Sequence, residues 1–91
     1  MLSHSPTPEL NQRFGRAIRH LREHRGWSQE KLAEAADLNR SYLGEIERGS
    51  ASPSLVTVVK LANALDLSAG DLVARSLTPG TPALKDAGAL A

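Results

Sequence analysis

Residues 27–49 read WSQEKLAEAADLNRSYLGEIERG, and the fold turns on how this run is parsed. Ser28 can offer its side-chain oxygen to the unpaired N–H groups of a helix start. Leu32, Ala33 and Ala36 then recur at helical spacing, which predicts a helix over 29–36. Asn39 is a second capping residue. It opens a helix over 40–48 with Leu43 and Ile46 inward. Gly49 is the expected stop, since glycine takes the left-handed conformation that ends helices. Only Asp37, Leu38 and Asn39 separate the two helices. So short a link forces them to cross steeply, which is a helix-turn-helix. The outward face of its second helix carries Arg40, Ser41, Tyr42, Glu45 and Arg48.

Working outward, Leu10, Phe14, Ala17, Ile18 and Leu21 make one apolar stripe over 8–25. Thr7 is placed to cap this helix, Pro8 suits its first position, and Gly26 is its stop. Downstream, Ser52 and Pro53 open a helix over 53–65 with Leu55, Val58, Leu61, Ala62 and Leu65 inward. Ser68 and Asp71 form a capping-box variant for a short helix over 69–75, with Leu72 inward. The expected organisation is a tail at 1–7, one domain at 8–75 and an Ala/Gly/Pro-rich tail at 76–91, whose Leu84 and Leu90 could dock on a partner.

Composition narrows the function classes. The chain has 91 residues, 23% charged and 41% hydrophobic, so one small core is expected. It has no cysteine, which excludes disulfides, thiolate metal sites and a thiol nucleophile. No run is long and apolar enough for a membrane span, and the first residues lack a secretory pattern, so a cytoplasmic protein is expected. The net charge of +1 hides an uneven distribution. Residues 12–26 hold Arg13, Arg16, Arg19, Arg22 and Arg25 against Glu23, giving five minus one, or +4. Residues 28–49 hold Lys31, Arg40 and Arg48 against Glu30, Glu34, Asp37, Glu45 and Glu47, giving three minus five, or −2. A basic run is either a solvated helix face or a phosphate-facing surface, and charge alone does not choose.

Taken together, Ser28-Gln29-x-x-Leu32-Ala33, Ile46-Glu47-x-Gly49, Pro53-Ser54-Leu55 and Leu61-Ala62-x-x-Leu65 resemble the phage-repressor/Cro family, also called XRE. The likeness covers residues 14–72. It implies an all-α, compact five-helix lambda-repressor-like domain: a transcriptional regulator, repressor in type, that binds double-stranded operator DNA as a homodimer. One departure is Asp37, where the family often has glycine. Asp accepts the left-handed conformation better than most residues, so the motif stands at a small loss of stability.

The candidate site follows from residue chemistry and from this resemblance. Arg40 can make a bidentate contact to guanine, Glu45 can accept from cytosine, and Ser41 and Tyr42 complete the base-facing set. Asn39 serves as cap, and stands equally within reach of a base or phosphate. The resemblance implies that Gln29 holds a phosphate and braces Arg40, and that Arg22 and Glu47 pair to fix the recognition helix. Arg48, Ser50, Ser54, Thr57 and Arg19 are the remaining phosphate candidates; one or two of the hydroxyls around 50–57 are expected to serve. Gly44 is expected to permit close approach to the preceding helix. In some phage repressors acidic residues matching Glu30 and Glu34 touch RNA polymerase; the plainer reading is a solvated face beside Lys31.

Other chemistries find little support. His20 and His24 have metal-compatible spacing but no third ligand in sequence, so no metal or cofactor is expected. No hydrolase signature is present, and Trp27 and Phe14 read as core before stacking platforms. An antitoxin or other interaction module with secondary DNA binding is the alternative function. Val56, Val73 and Leu77 are apolar outside the core stripes and are the expected dimer interface.

Overall fold

The computed structural model describes residues 7–77; the expected tail segments at 1–6 and 78–91, with Leu84 and Leu90, lie outside them. Five helices follow in order: α1 (Thr7–His24), α2 (Gln29–Ala36), α3 (Arg40–Arg48), α4 (Leu55–Ala64) and α5 (Ala69–Leu77). Among the described residues there is no strand. Helix α1 packs on α3 and α5, and α2 and α5 each pack on α4, so every helix contributes to one core. That core is built from Phe14, Ile18, Leu32, Ala33, Ala36, Leu43, Ile46, Val58, Leu61, Ala62, Leu65 and Leu72.

The caps explain where the helices of the motif begin. Ser28 Oγ accepts from Lys31 N at 3.0 Å, and Asn39 Oδ1 accepts from Ser41 N and Tyr42 N at 2.8 and 3.2 Å. Four helices end in the same paired arrangement, in which a residue just past the last turn is left-handed and two N–H groups reach back to that turn. Those residues are Gly26, Asp37, Gly49 and Asp66. Asp37, at φ 56°, supplies the turn of the motif, where its carbonyl accepts from Lys60 Nζ at 3.3 Å.

Three expectations are corrected. Helix α4 starts at Leu55, two residues later than expected. Its cap is Ser54, whose Oγ accepts from Thr57 N at 3.1 Å, while Ser52 Oγ instead donates to Asn11 Oδ1 at 3.1 Å. Leu55 is therefore the first helical residue and projects off the core at 78% exposure. Helix α5 runs on to Leu77, and Ser76 is buried with its hydroxyl on the Leu72 carbonyl at 3.1 Å, so it belongs to the domain rather than to a tail. At the other end α1 takes in Thr7, which puts its cap outside the described residues.

Candidate nucleic-acid interface

Helix α3 is anchored through one carboxylate. Glu47 sits at the end of α3 with its side chain 3% exposed. Arg22 of α1 donates to it twice, Nε to Oε2 at 2.7 Å and Nη2 to Oε1 at 3.0 Å. The same guanidinium donates Nη1 to the Trp27 carbonyl at 2.8 Å. Gln29, the first residue of α2, donates Nε2 to Glu47 Oε1 at 3.0 Å. Three helices are thus tied to one acceptor, and bidentate geometry fixes their orientation as well as their distance. The hydrogen bond with Glu47 raises the Arg22 pKa further above its ordinary value, outweighing the burial that lowers it.

A second anchor is steric. Gly15 of α1 lies directly against the end of α3. A Cβ added there would stand 2.6 Å from the Glu47 carbonyl oxygen and closer still to that of Ile46. The two helices meet backbone to backbone, which only glycine permits. The approach expected at Gly44 is a different one, to α2, and it is looser. Around Gly44 the nearest groups are side-chain ends, Arg48 Nη1 at 3.3 Å and the Gln29 amide at 3.8 and 4.0 Å from an added Cβ. Gly49 does face backbone, that of Gln12, and has φ 79°.

With its inner side held this way, α3 turns Arg40, Ser41, Glu45 and Arg48 to solvent. Asn39, Ser50 and Ser54 are exposed beside them, and Gln29 is half-buried. Two candidates are more deeply committed. Tyr42 is half-buried against the core, with its hydroxyl 3.3 Å from Thr57 Oγ1. Thr57 is 5% exposed and its Oγ1 also accepts from Ser54 Oγ at 2.9 Å. The expected phosphate contact from Thr57 is corrected accordingly: its hydroxyl faces inward and links α3 to α4.

Of the basic run at 12–26, Arg19 pairs with Glu23 at 3.0 Å on the solvent face, and that bond lowers the Glu23 pKa. Arg25 donates to the Leu65 carbonyl at 3.1 Å and lies 5.0 Å over the Trp27 ring, so its charge braces the α1–α2 turn. Arg16 is exposed and Arg13 half-buried. Glu30 and Glu34 are exposed on α2, lining a shallow groove with Lys31 and Arg40. Sequence reasoning missed Gly15, the Gln29–Glu47 bond and the exposure of Leu55 and Val59. Each depends on residues far apart in the chain.

A helix-turn-helix held rigid from behind, with polar and basic residues on the free face of its second helix, defines a DNA-binding regulator domain. The helix-turn-helix family HTH_3 matches residues 18–72, and the chain belongs to that family of transcription regulators. It is 38% identical over 64 residues to the HTH-type transcriptional regulator SutR of Escherichia coli, covering 68% of this chain. The chain spans only 36% of the length of SutR. The restriction-modification controller protein C.AhdI from Aeromonas hydrophila superposes with TM-score 0.66 at 47% identity, over 68% of this chain and 94% of that one. The biofilm regulator SinR, solved in complex with DNA, superposes with TM-score 0.62 at 36% identity, over 66% of this chain and 97% of that one. No helix among the described residues is long and apolar enough to cross a membrane.

Proposed function

We propose that this chain represses transcription by binding a two-fold-symmetric operator as a homodimer, with α3 in the major groove. The observation that carries the reading is the free face of α3. Arg40, Ser41 and Glu45 are exposed on a helix whose other side is locked by Leu43, Ile46 and Glu47. A helix about 10–12 Å across fits a major groove about 12 Å wide. Arg40 and Glu45 have the chemistry for guanine and cytosine edges, with Ser41 and the rim of Tyr42 beside them. Gln29, Asn39, Arg48, Ser50, Ser54 and Arg19 then fix the register on phosphates. Asn39 spends its Oδ1 on the cap and keeps its amide hydrogens for that purpose. Contact of RNA polymerase with Glu30 and Glu34 is part of the same proposal and rests on their exposure alone.

The test is fluorescence anisotropy of the whole chain on a duplex from its own upstream region and on a scrambled duplex, across a salt series. Arg40→Ala is expected to lose about tenfold or more on the operator and little on the scrambled duplex, because a bidentate base contact is worth ~1–3 kcal/mol of discrimination. Gln29→Ala is expected to weaken both duplexes alike. Equal loss on both duplexes for Arg40→Ala would overturn the base contact.

The dimer reading is supported by apolar side chains that no core claims. Val56, Val73 and Leu77 were expected there, and Leu55 and Val59 join them on α4. Leu55 and Val56 are the most exposed, at 78% and 65%. Two recognition helices one DNA turn apart, ~34 Å, would match a palindromic site. Leu55→Asp with Val56→Asp is expected to halve the mass seen by light scattering and weaken operator binding by about tenfold or more, because joint binding of two half-sites is lost. A variant whose mass and affinity match the parent would place the interface elsewhere.

A further inference from the structure

Among the helical glycines Gly15, Gly44 and Gly70, the last two have surroundings that do not require glycine, and of these only Gly44 lies on α3. Gly15 meets backbone carbonyls, which cannot move aside. Gly44 meets only the ends of Arg48 and Gln29. Glycine is the least favourable helix-interior residue after proline, so the position weakens α3 without serving the core.

What fills the space is informative. An arginine on a helix runs back toward the N-terminus, over the residue four before it. Arg48 does so, and its Nη1 lies 3.3 Å from where a Gly44 Cβ would be. The Gln29 amide comes to 3.8 Å from the same point, from the first turn of α2. Gln29 Nε2 gives one hydrogen to Glu47 and keeps the other. We infer that Gly44 is a positioning residue: the notch it leaves seats the Arg48 guanidinium beside the Gln29 amide, so that both donate to one backbone phosphate of the duplex. This rests on the DNA-binding reading above. Glu47 sets Gln29 from below, and Gly44 gives Arg48 its place from above. The two planar donor groups then converge on one anion, where charge-assisted bonds are strong.

The experiment compares Gly44→Ala and Gly44→Leu in the parent chain and in Arg48→Ala, on the upstream duplex across a salt series, with thermal melts of each. Gly44→Ala is expected to melt roughly 4–8 °C higher than the parent, since alanine is the better helix former and nothing rigid opposes its Cβ. It is expected to bind DNA more weakly, by about threefold, as Arg48 is displaced. Gly44→Leu fills the notch and is expected to lose about tenfold, with the salt slope shallower by ~0.9. In the Arg48→Ala background Gly44→Ala is expected to change affinity no further.

A more stable Gly44→Ala with parental affinity and slope would overturn the inference. So would an equal loss in the Arg48→Ala background, or a Gly44→Ala that melts lower than the parent. A parent chain that binds no duplex in a salt-dependent way would overturn the regulator reading, and this inference with it. If the parent binds and the Gly44 variants bind equally well, only the inference falls.

Discussion

Gly15→Ala is expected to destabilise the fold by about 3 kcal/mol, although alanine is the best helix former and Gly15 lies inside a helix. Taken alone, propensity would add ~1 kcal/mol of stability. Sterics reverse the sign. An added Cβ would lie 2.6 Å from the Glu47 carbonyl oxygen and 2.9 Å from its carbon, with the Ile46 carbonyl nearer still. All three atoms are backbone, so no rotamer change relieves the clash. The axes of α1 and α3 must separate, and that pulls Arg22 from Glu47 on the same strip of α1. In a domain of this size the loss lowers Tm by roughly 12–24 °C. Thermal denaturation followed by circular dichroism measures it. A melting point equal to or above the parent's would show that the helices do not touch at backbone distance. The contrast with Gly44→Ala makes the experiment sharper: the same substitution at two helical glycines is expected to move Tm in opposite directions.

That contrast also shows what the sequence could and could not disclose. The motif was legible because its signals are local. Ser28 and Asn39 sit one residue before their helices, Gly49 one residue after, and the apolar spacing between them is helical. The start of α4 was not legible in the same way. Ser52, Pro53 and Ser54 offer two capping serines and a proline suited to a first position. The choice fell to contacts from elsewhere: Asn11 engages Ser52, and Tyr42 engages Thr57. Leu55 keeps the spacing of the core stripe, yet it stands one step beyond the end of the core. In the candidate site, exposed polar residues on α3 could be read from periodicity. The inward turn of Thr57 could not, because a hydroxyl near a helix start reads the same whether it faces water or a neighbouring tyrosine. Gly15 and Gly44 are indistinguishable in sequence, since what separates them lies across the α1–α3 and α2–α3 contacts.

Glu47→Ala is expected to have the largest effect of any single substitution in the site, about 3–5 kcal/mol of stability. The removal leaves the Arg22 guanidinium, whose side chain is 11% exposed, with the Trp27 carbonyl as its remaining partner. Gln29 Nε2 loses its acceptor at the same time. Small domains hold only about 5–15 kcal/mol in total, so the variant is expected to be substantially unfolded at moderate temperature. Raising the pH is no substitute for the mutation. The folded Arg22 pKa is raised above its unfolded value. Its contribution is therefore fully present below the unfolded arginine pKa and is lost only as pH rises through the still higher folded value, far above neutrality. The decisive comparison is a double-mutant cycle in urea. Arg22→Met with Glu47→Leu replaces the pair by apolar groups of similar length, and should recover most of the stability that either single change loses, because no charge is left buried without its partner. Purely additive losses would mean that the two residues act independently. The recovered double variant then separates folding from function. It keeps α1 on α3 but leaves Gln29 without the carboxylate that aims it, so it should melt near the parent and still bind every duplex more weakly.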